Sequence, residues 1–218
     1  MPSKNKIILS FDLDFTLINN KDGIINSFNY TVSKFNLPRL KESEIVRMIG
    51  IPLTEMFQKI TNIDSNDLVV TFREYYRTNG IYQATLLPGI REKLQELKQN
   101  SFTLGVITSK KQEMADKVID ILGISHFFNY IIGDGKIMKS KLDPNLINYL
   151  KKEYPEYYFV IIGDHPKDRA LAENLKAPFI GVLTGNHSAE ELRLNSSTKT
   201  LILSSVKELH PNIIYSLI

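Results

Sequence analysis

The sequence predicts an α/β protein, a parallel sheet core flanked by helices with a helical domain inserted after the first strand. Three observations carry that prediction. Six short runs are apolar throughout instead of alternating with polar residues, as strands buried on both faces must be. Helical patterns separate these runs, which is the rhythm of parallel strands joined by crossover helices. The interval between the first run and the second, residues 19–85, contains helical patterns only and is far too long for a loop.

In chain order, "KIILSF" (6–11) is the first strand, and "NKDGIINSFNYTVSKF", "KESEIVRMIG", "PLTEMFQKI" and "SNDLVVTFREYYRTN" fill the helical interval. The sheet resumes after "LLPGI". Helix "GIREKLQELKQN" follows Pro88, and strand "FTLGVIT" (102–108) leads to helix "KQEMADKVIDILG", which stops at Gly123. Strand "FFNYIIG" (127–133), helix "DPNLINYLKKEY", strand "YYFVIIG" (157–163) and helix "PKDRALAENL" continue the alternation. Strand "PFIGVLT" (178–184), helix "SAEELRLN" and strand "KTLILS" (199–204) complete it.

The bulk composition narrows the function classes. With 218 residues, 43% hydrophobic and 23% charged, the chain has the profile of a folded globular protein with a sizeable core. A net charge of +3, spread without a basic arm or stripe, does not point to nucleic acid. The pairs Lys4 with Lys6, Lys110 with Lys111, Lys139 with Lys141 and Lys151 with Lys152 read as solvated faces unless a motif claims them. The absence of cysteine removes disulfides, thiolate zinc sites and cysteine nucleophiles, and fits a reducing compartment. Asp12 ends the first apolar stretch before it reaches signal-peptide length, and no run is long enough to span a membrane. A cytoplasmic location is expected.

Ligands of open parallel sheets bind beyond the carboxyl ends of the strands. The first strand delivers Asp12 and Asp14 there, the second Thr108 and Ser109, and the fourth Asp164, with Asp168 one helical turn on. Lys141 stands just before the helix at Pro144. Carboxylates at the end of a buried strand must be paired, neutralised or bound to metal.

Four segments in order, "FDLDFTL", "LGVITSKK", "KLDP" and "VIIGDHPKD", resemble the motifs of the haloacid dehalogenase superfamily. "LLPGIREKLQELK" and "IGIPLTEMF" further resemble its phosphatases with a helical cap, those like phosphoglycolate phosphatase and β-phosphoglucomutase. The resemblance implies a Rossmann-like core of residues 1–18 and 86–218 and a cap of residues 19–85. It implies Mg²⁺ as cofactor and a small phosphorylated metabolite as partner, with no nucleic acid or membrane. Asp12 would be the nucleophile, and Asp14 the general acid and base, a role that needs a raised pKa. Asp12, the Asp14 backbone carbonyl, Asp164 and, directly or through water, Asp168 would hold the metal. Thr108, Ser109 and Lys141 would bind the phosphoryl group, and Arg47, beside a hinge at Gly50, would read the substrate as the cap closes.

Each assignment has a plainer alternative. Asp12 and Asp14 can end a strand, Thr108 or more naturally Ser109 can cap the next helix, and Asp164 can cap "PKDRALAENL". Asp168 can favour that helix's dipole, Lys139 can take the place of Lys141, and His165 reads as a loop side chain and not a ligand. Phe15 stands where the family has glycine, so the loop after the first strand is expected to manage without positive φ; Leu142 replaces a proline. Asp14 favours phosphate esters over halides, because an alkoxide leaving group needs a proton. A phosphatase for small phosphomonoesters leads, beside a phosphotransferase like β-phosphoglucomutase, a pyrophosphatase, or an idle phosphate-ligand binder.

Overall fold

The structure is a computed structural model that describes residues 6–135 and 137–218; Lys4 and the rest of the first five residues of the segment read for a signal peptide lie outside the described residues. The chain divides into two compact units, one running through Ile18 and resuming at Leu86, the other from Asn19 to Thr85. Strand β1 (Ile7–Phe11) is buried along its whole length. Two-residue strands β2 (Ile18–Asn19) and β3 (Thr85–Leu86) pair where the chain passes from one unit to the other and back.

The inserted unit consists of α1 (Lys21–Lys34), α2 (Glu42–Arg47), α3 (Leu53–Gln58), α4 (Ser65–Thr78) and a 3-10 turn over Gly80–Gln83. A chain of aromatic contacts runs through its core. Phe28 stacks on Phe57 at 5.2 Å, Phe57 meets Phe72 edge-on at 6.3 Å, and Phe72 stacks on Tyr76 at 6.1 Å. Gly50 takes a φ of 101°, open to glycine and strained for other residues, in the turn between α2 and α3.

The larger unit continues with α5 (Ile90–Gln99), β4 (Thr103–Lys111), α6 (Gln112–Ile121), β5 (Tyr130–Asp134), α7 (Pro144–Glu153), β6 (Tyr158–Gly163) and α8 (Pro166–Leu175). Strand β7 (Phe179–Val182), α9 (Ala189–Arg193), β8 (Thr200–Leu203) and α10 (Pro211–Leu217) follow. The six-stranded sheet has the order β5-β4-β1-β6-β7-β8 with every pairing parallel, a Rossmann-like α/β architecture. From β1 the chain builds outward through β4 and β5, then returns to the other side of β1 and builds through β6, β7 and β8. The order therefore reverses at β1, and the crevice beyond its carboxyl end is where such sheets bind ligands.

One polar pair crosses the buried sheet. The Ser10 and Tyr130 hydroxyls lie 2.5 Å apart, and the Tyr130 ring covers Gly105 so closely that a β-carbon there would sit 2.1 Å from it. Burial raises the Tyr130 pKa, so the hydroxyl stays neutral. Three details depart from the sequence-based expectation. Strand β4 runs on to Lys111 through a register shift between Ile107 and Lys111; β5 starts at Tyr130 because a 3-10 turn takes Ser125–Phe127; and α10 is too short to show a helical period.

Candidate active site

The site grows from the end of β1. The Asp12 N–H still donates to the Ile162 carbonyl at 2.8 Å, so ladder bonding fixes the backbone at the first acid. A tight turn follows, with the Leu17 N–H on the Leu13 carbonyl at 2.9 Å and the Phe15 N–H on the Ile18 carbonyl at 2.8 Å. Phe15 takes a φ of 58°. The expectation that this loop avoids positive φ is corrected: the turn keeps the left-handed geometry even though a bulky aromatic occupies it. The Thr184 hydroxyl donates to the Phe15 carbonyl at 2.5 Å.

One carboxylate oxygen each from Asp12, Asp164 and Asp168 fall within 4.8 Å of one another. The Lys141 ammonium sits 2.5 Å from Asp12 Oδ1 and 2.5 Å from Asp168 Oδ1. Lys141 is buried, whereas Lys139 is exposed, so geometry distinguishes the two lysines. Asp164 Oδ1 accepts the Thr16 hydroxyl at 3.1 Å. Asp168 Oδ2 accepts the His165 N–H at 3.1 Å, so this residue serves the start of α8 and the acidic cluster together. The cap of α8 is His165, not Asp164: its Nδ1 accepts the Lys167 N–H at 3.0 Å. Burial, with His187 next to it, pushes His165 down to about 3 and keeps the imidazole a neutral acceptor.

Charge is the governing feature of the cluster. Burial pushes Asp12 up to about 7 against the pull of Lys141, and burial with Asp12 and Asp168 beside it raises Asp164 well above the usual range. Burial works against the charge on Lys141, but Asp12 and Asp168 outweigh it and raise its pKa. When all three are ionised, as metal binding requires, the carboxylates facing one ammonium leave two negative charges, which one divalent cation cancels. An all-oxygen donor set of that charge fits a hard divalent ion.

Thr108 is buried at the end of the sheet, and its Oγ1 accepts the Lys110 N–H at 3.2 Å. The N-cap of α6 is Lys111, so neither Thr108 nor Ser109 caps that helix; Ser109 is exposed. Lys110 is not on a solvated face: its side chain is 9% exposed, with Nζ 3.1 Å from Asp14 Oδ2. Arg47 is exposed at the last position of α2, in the inserted unit, and Leu142 is exposed.

Four further residues complete the site. Thr16 and Thr184 supply the hydrogen bonds above, while Gly163 and Gly185 supply room. A β-carbon on Gly163 would lie 2.2 Å from Asp168 Oδ2, and one on Gly185 would lie 1.8 Å from Asp164 Oδ2. Thr16 and Gly163 stand inside quoted motifs, but Thr184 and Gly185 carry no local signal, because their role arises only where the loop after β7 meets the other strand ends.

Residues 8–182 match the model of the haloacid dehalogenase-like hydrolases. A pyrophosphatase PpaX of Oceanobacillus iheyensis is 29% identical over 161 residues, 72% of this chain and 74% of that protein. A phosphoglycolate phosphatase of Haemophilus influenzae is 25% identical over 192 residues, 82% of this chain and 86% of that protein. The crystal structure of a predicted phosphatase from Clostridium acetobutylicum superposes with a TM-score of 0.82 at 30% identity, covering 96% of this chain and 99% of that one. With the motif acids and the buried lysine gathered at the switch point of this sheet, the chain belongs to the haloacid dehalogenase-like hydrolase family and is a phosphatase within it.

Proposed function

We propose that the chain hydrolyses small phosphomonoesters with Mg²⁺ by passing the phosphoryl group through Asp12. The observation that carries this reading is the buried Lys141 ammonium 2.5 Å from both Asp12 and Asp168, with Asp164 in the same cluster. Asp12 attacks phosphorus, a P–O bond forms to its carboxylate, and the bond to the leaving alkoxide breaks. Asp14 protonates the alkoxide, then takes a proton from the water that attacks the aspartyl-phosphate and releases phosphate. Thr108, whose oxygen accepts the Lys110 N–H, donates its hydroxyl proton to a phosphoryl oxygen, and Lys141 offsets the negative charge there. Asp12, the Asp14 backbone carbonyl and Asp164, with Asp168 behind them, would hold Mg²⁺, which when bound would neutralise charge on the phosphoryl oxygens.

Phosphoglycolate is the substrate class proposed first, from the Haemophilus influenzae relative; pyrophosphate is the second, from the relative in Oceanobacillus iheyensis. Among the described residues no helix is long and apolar enough to cross a membrane, and with no cysteine in the chain we place the enzyme in the cytoplasm. Phosphate release from a panel of phosphoglycolate, sugar phosphates, nucleoside monophosphates and pyrophosphate tests the reading, with Mg²⁺ and with EDTA. Turnover of at least one compound, lost in EDTA and in a folded Asp12→Asn variant, is expected. Wild-type rates in that variant overturn the mechanism, and no turnover of any compound favours an idle binder.

A further inference from the structure

The loop that follows β7 has no place in the reaction as described, yet it reaches both halves of the acidic site. Thr184 donates its hydroxyl to the Phe15 carbonyl at 2.5 Å. The next residue, Gly185, lies against Asp164, with space for no side chain at all. From the same turn as Phe15, Thr16 donates to the other Asp164 oxygen at 3.1 Å. Asp164 is thus held between the turn after β1 and the loop after β7, and those two segments are tied to each other through Thr184.

Phe15 is the reason such a tie is needed. A φ of 58° is easy for glycine but disfavoured for an aromatic residue, and such conformations persist only where surrounding contacts over-determine them. Inside the turn the Phe15 N–H is held by the Ile18 carbonyl at 2.8 Å, and outside it the Phe15 carbonyl is held by Thr184. Phe15 directly follows Asp14, so any relaxation of its backbone moves the acid that handles the leaving-group proton and loosens Thr16 from Asp164.

We propose that Thr184 is a positioning residue, whose hydroxyl holds Phe15 in the left-handed conformation and so keeps Asp14 and Asp164 in their reactive placement, with Gly185 as the backbone wall behind Asp164. This inference rests on the phosphatase mechanism above for its kinetic arm only. It yields a prediction that a mere packing role does not: the need for Thr184 disappears when residue 15 adopts positive φ without help.

The test is a double-mutant cycle of Thr184→Val and Phe15→Gly, with Thr184→Ser as the conservative control. Two readouts are taken: kcat and KM for p-nitrophenyl phosphate at saturating Mg²⁺, and hydrogen exchange of the residue 15–18 amides in the metal-free protein. Thr184→Val alone is expected to lower kcat about tenfold with little change in KM and to speed exchange in the turn by a similar factor, while Thr184→Ser stays near wild type. In the Phe15→Gly background, Thr184→Val should change either readout by less than about twofold. Equal losses in both backgrounds, or no effect of Thr184→Val, overturn the proposal. If wild type releases no phosphate, the mechanism fails, and the exchange cycle still decides the role of Thr184. Should Thr184→Val not fold, recovery of folding in the Phe15→Gly background supports the proposal and continued failure overturns it.

Discussion

Replacing Lys141 by Met keeps an unbranched side chain, one heavy atom shorter, and removes the ammonium between Asp12 and Asp168, each 2.5 Å away. At an effective dielectric constant of 20, each contact at that distance is worth about 6–7 kcal/mol of gross attraction, much of it offset by desolvation. Removing one partner of such a buried pair leaves a net loss of about 3–5 kcal/mol, or about 6–20 °C in Tm for a chain of this size. The loss must depend on pH. Burial has already raised Asp12 from 3.8 to about 7, so between those values the folded protein holds more protons than the unfolded chain and its stability falls as pH rises. Without Lys141 the folded carboxyls bind protons still more tightly and that fall steepens. Thermal unfolding in EDTA should therefore show a small Tm difference between wild type and Lys141→Met near pH 4.5 and the full difference at pH 8. An equal difference at both, or a Tm at pH 8 within about 2 °C of wild type, refutes the charge balance assigned to this cluster.

Gly163→Ala puts a methyl 2.2 Å from Asp168 Oδ2, an atom that cannot retreat without leaving the His165 N–H. We expect a loss of about 1–3 kcal/mol by thermal melt together with a fall in kcat. Gly105→Ala strikes the Tyr130 ring at 2.1 Å, away from the site, and should cost about as much stability while leaving the kcat of folded protein unchanged. Metal-free Asp12, raised to about 7, is mainly protonated at pH 6, so Mg²⁺ binding there should release protons, and progressively fewer as pH rises to 9. Calorimetry in two buffers of different ionisation enthalpy measures this, and zero release at pH 6 contradicts it.

The six strands were legible because their runs are largely apolar, β1 and β7 being buried along their whole length, and the break into Asp12 and Asp14 stood out against that texture. Asp164, Asp168 and Lys141 were legible by their place at strand ends and helix starts. What stayed hidden depends on approach in space. Lys110 reads as half of a surface pair until the register shift in β4 carries it toward Asp14, and the same shift moves the start of α6 past Thr108 and Ser109. Thr184 and Gly185 have no motif of their own; they matter because β7 ends beside β6, which delivers Asp164. Phe15 reads as a residue that forbids left-handed backbone, and only the hydrogen bonds on both sides of it reveal why the turn keeps that shape.

The central claim is that Asp12 itself carries the phosphoryl group. Acid-quenching the enzyme during turnover and reducing it with borohydride converts an aspartyl-phosphate to homoserine, which peptide mass spectrometry locates. Homoserine is expected at position 12 in wild type and none in Asp12→Asn. Phosphate release at the normal rate with no reducible acyl phosphate, or with the label on another residue, contradicts it.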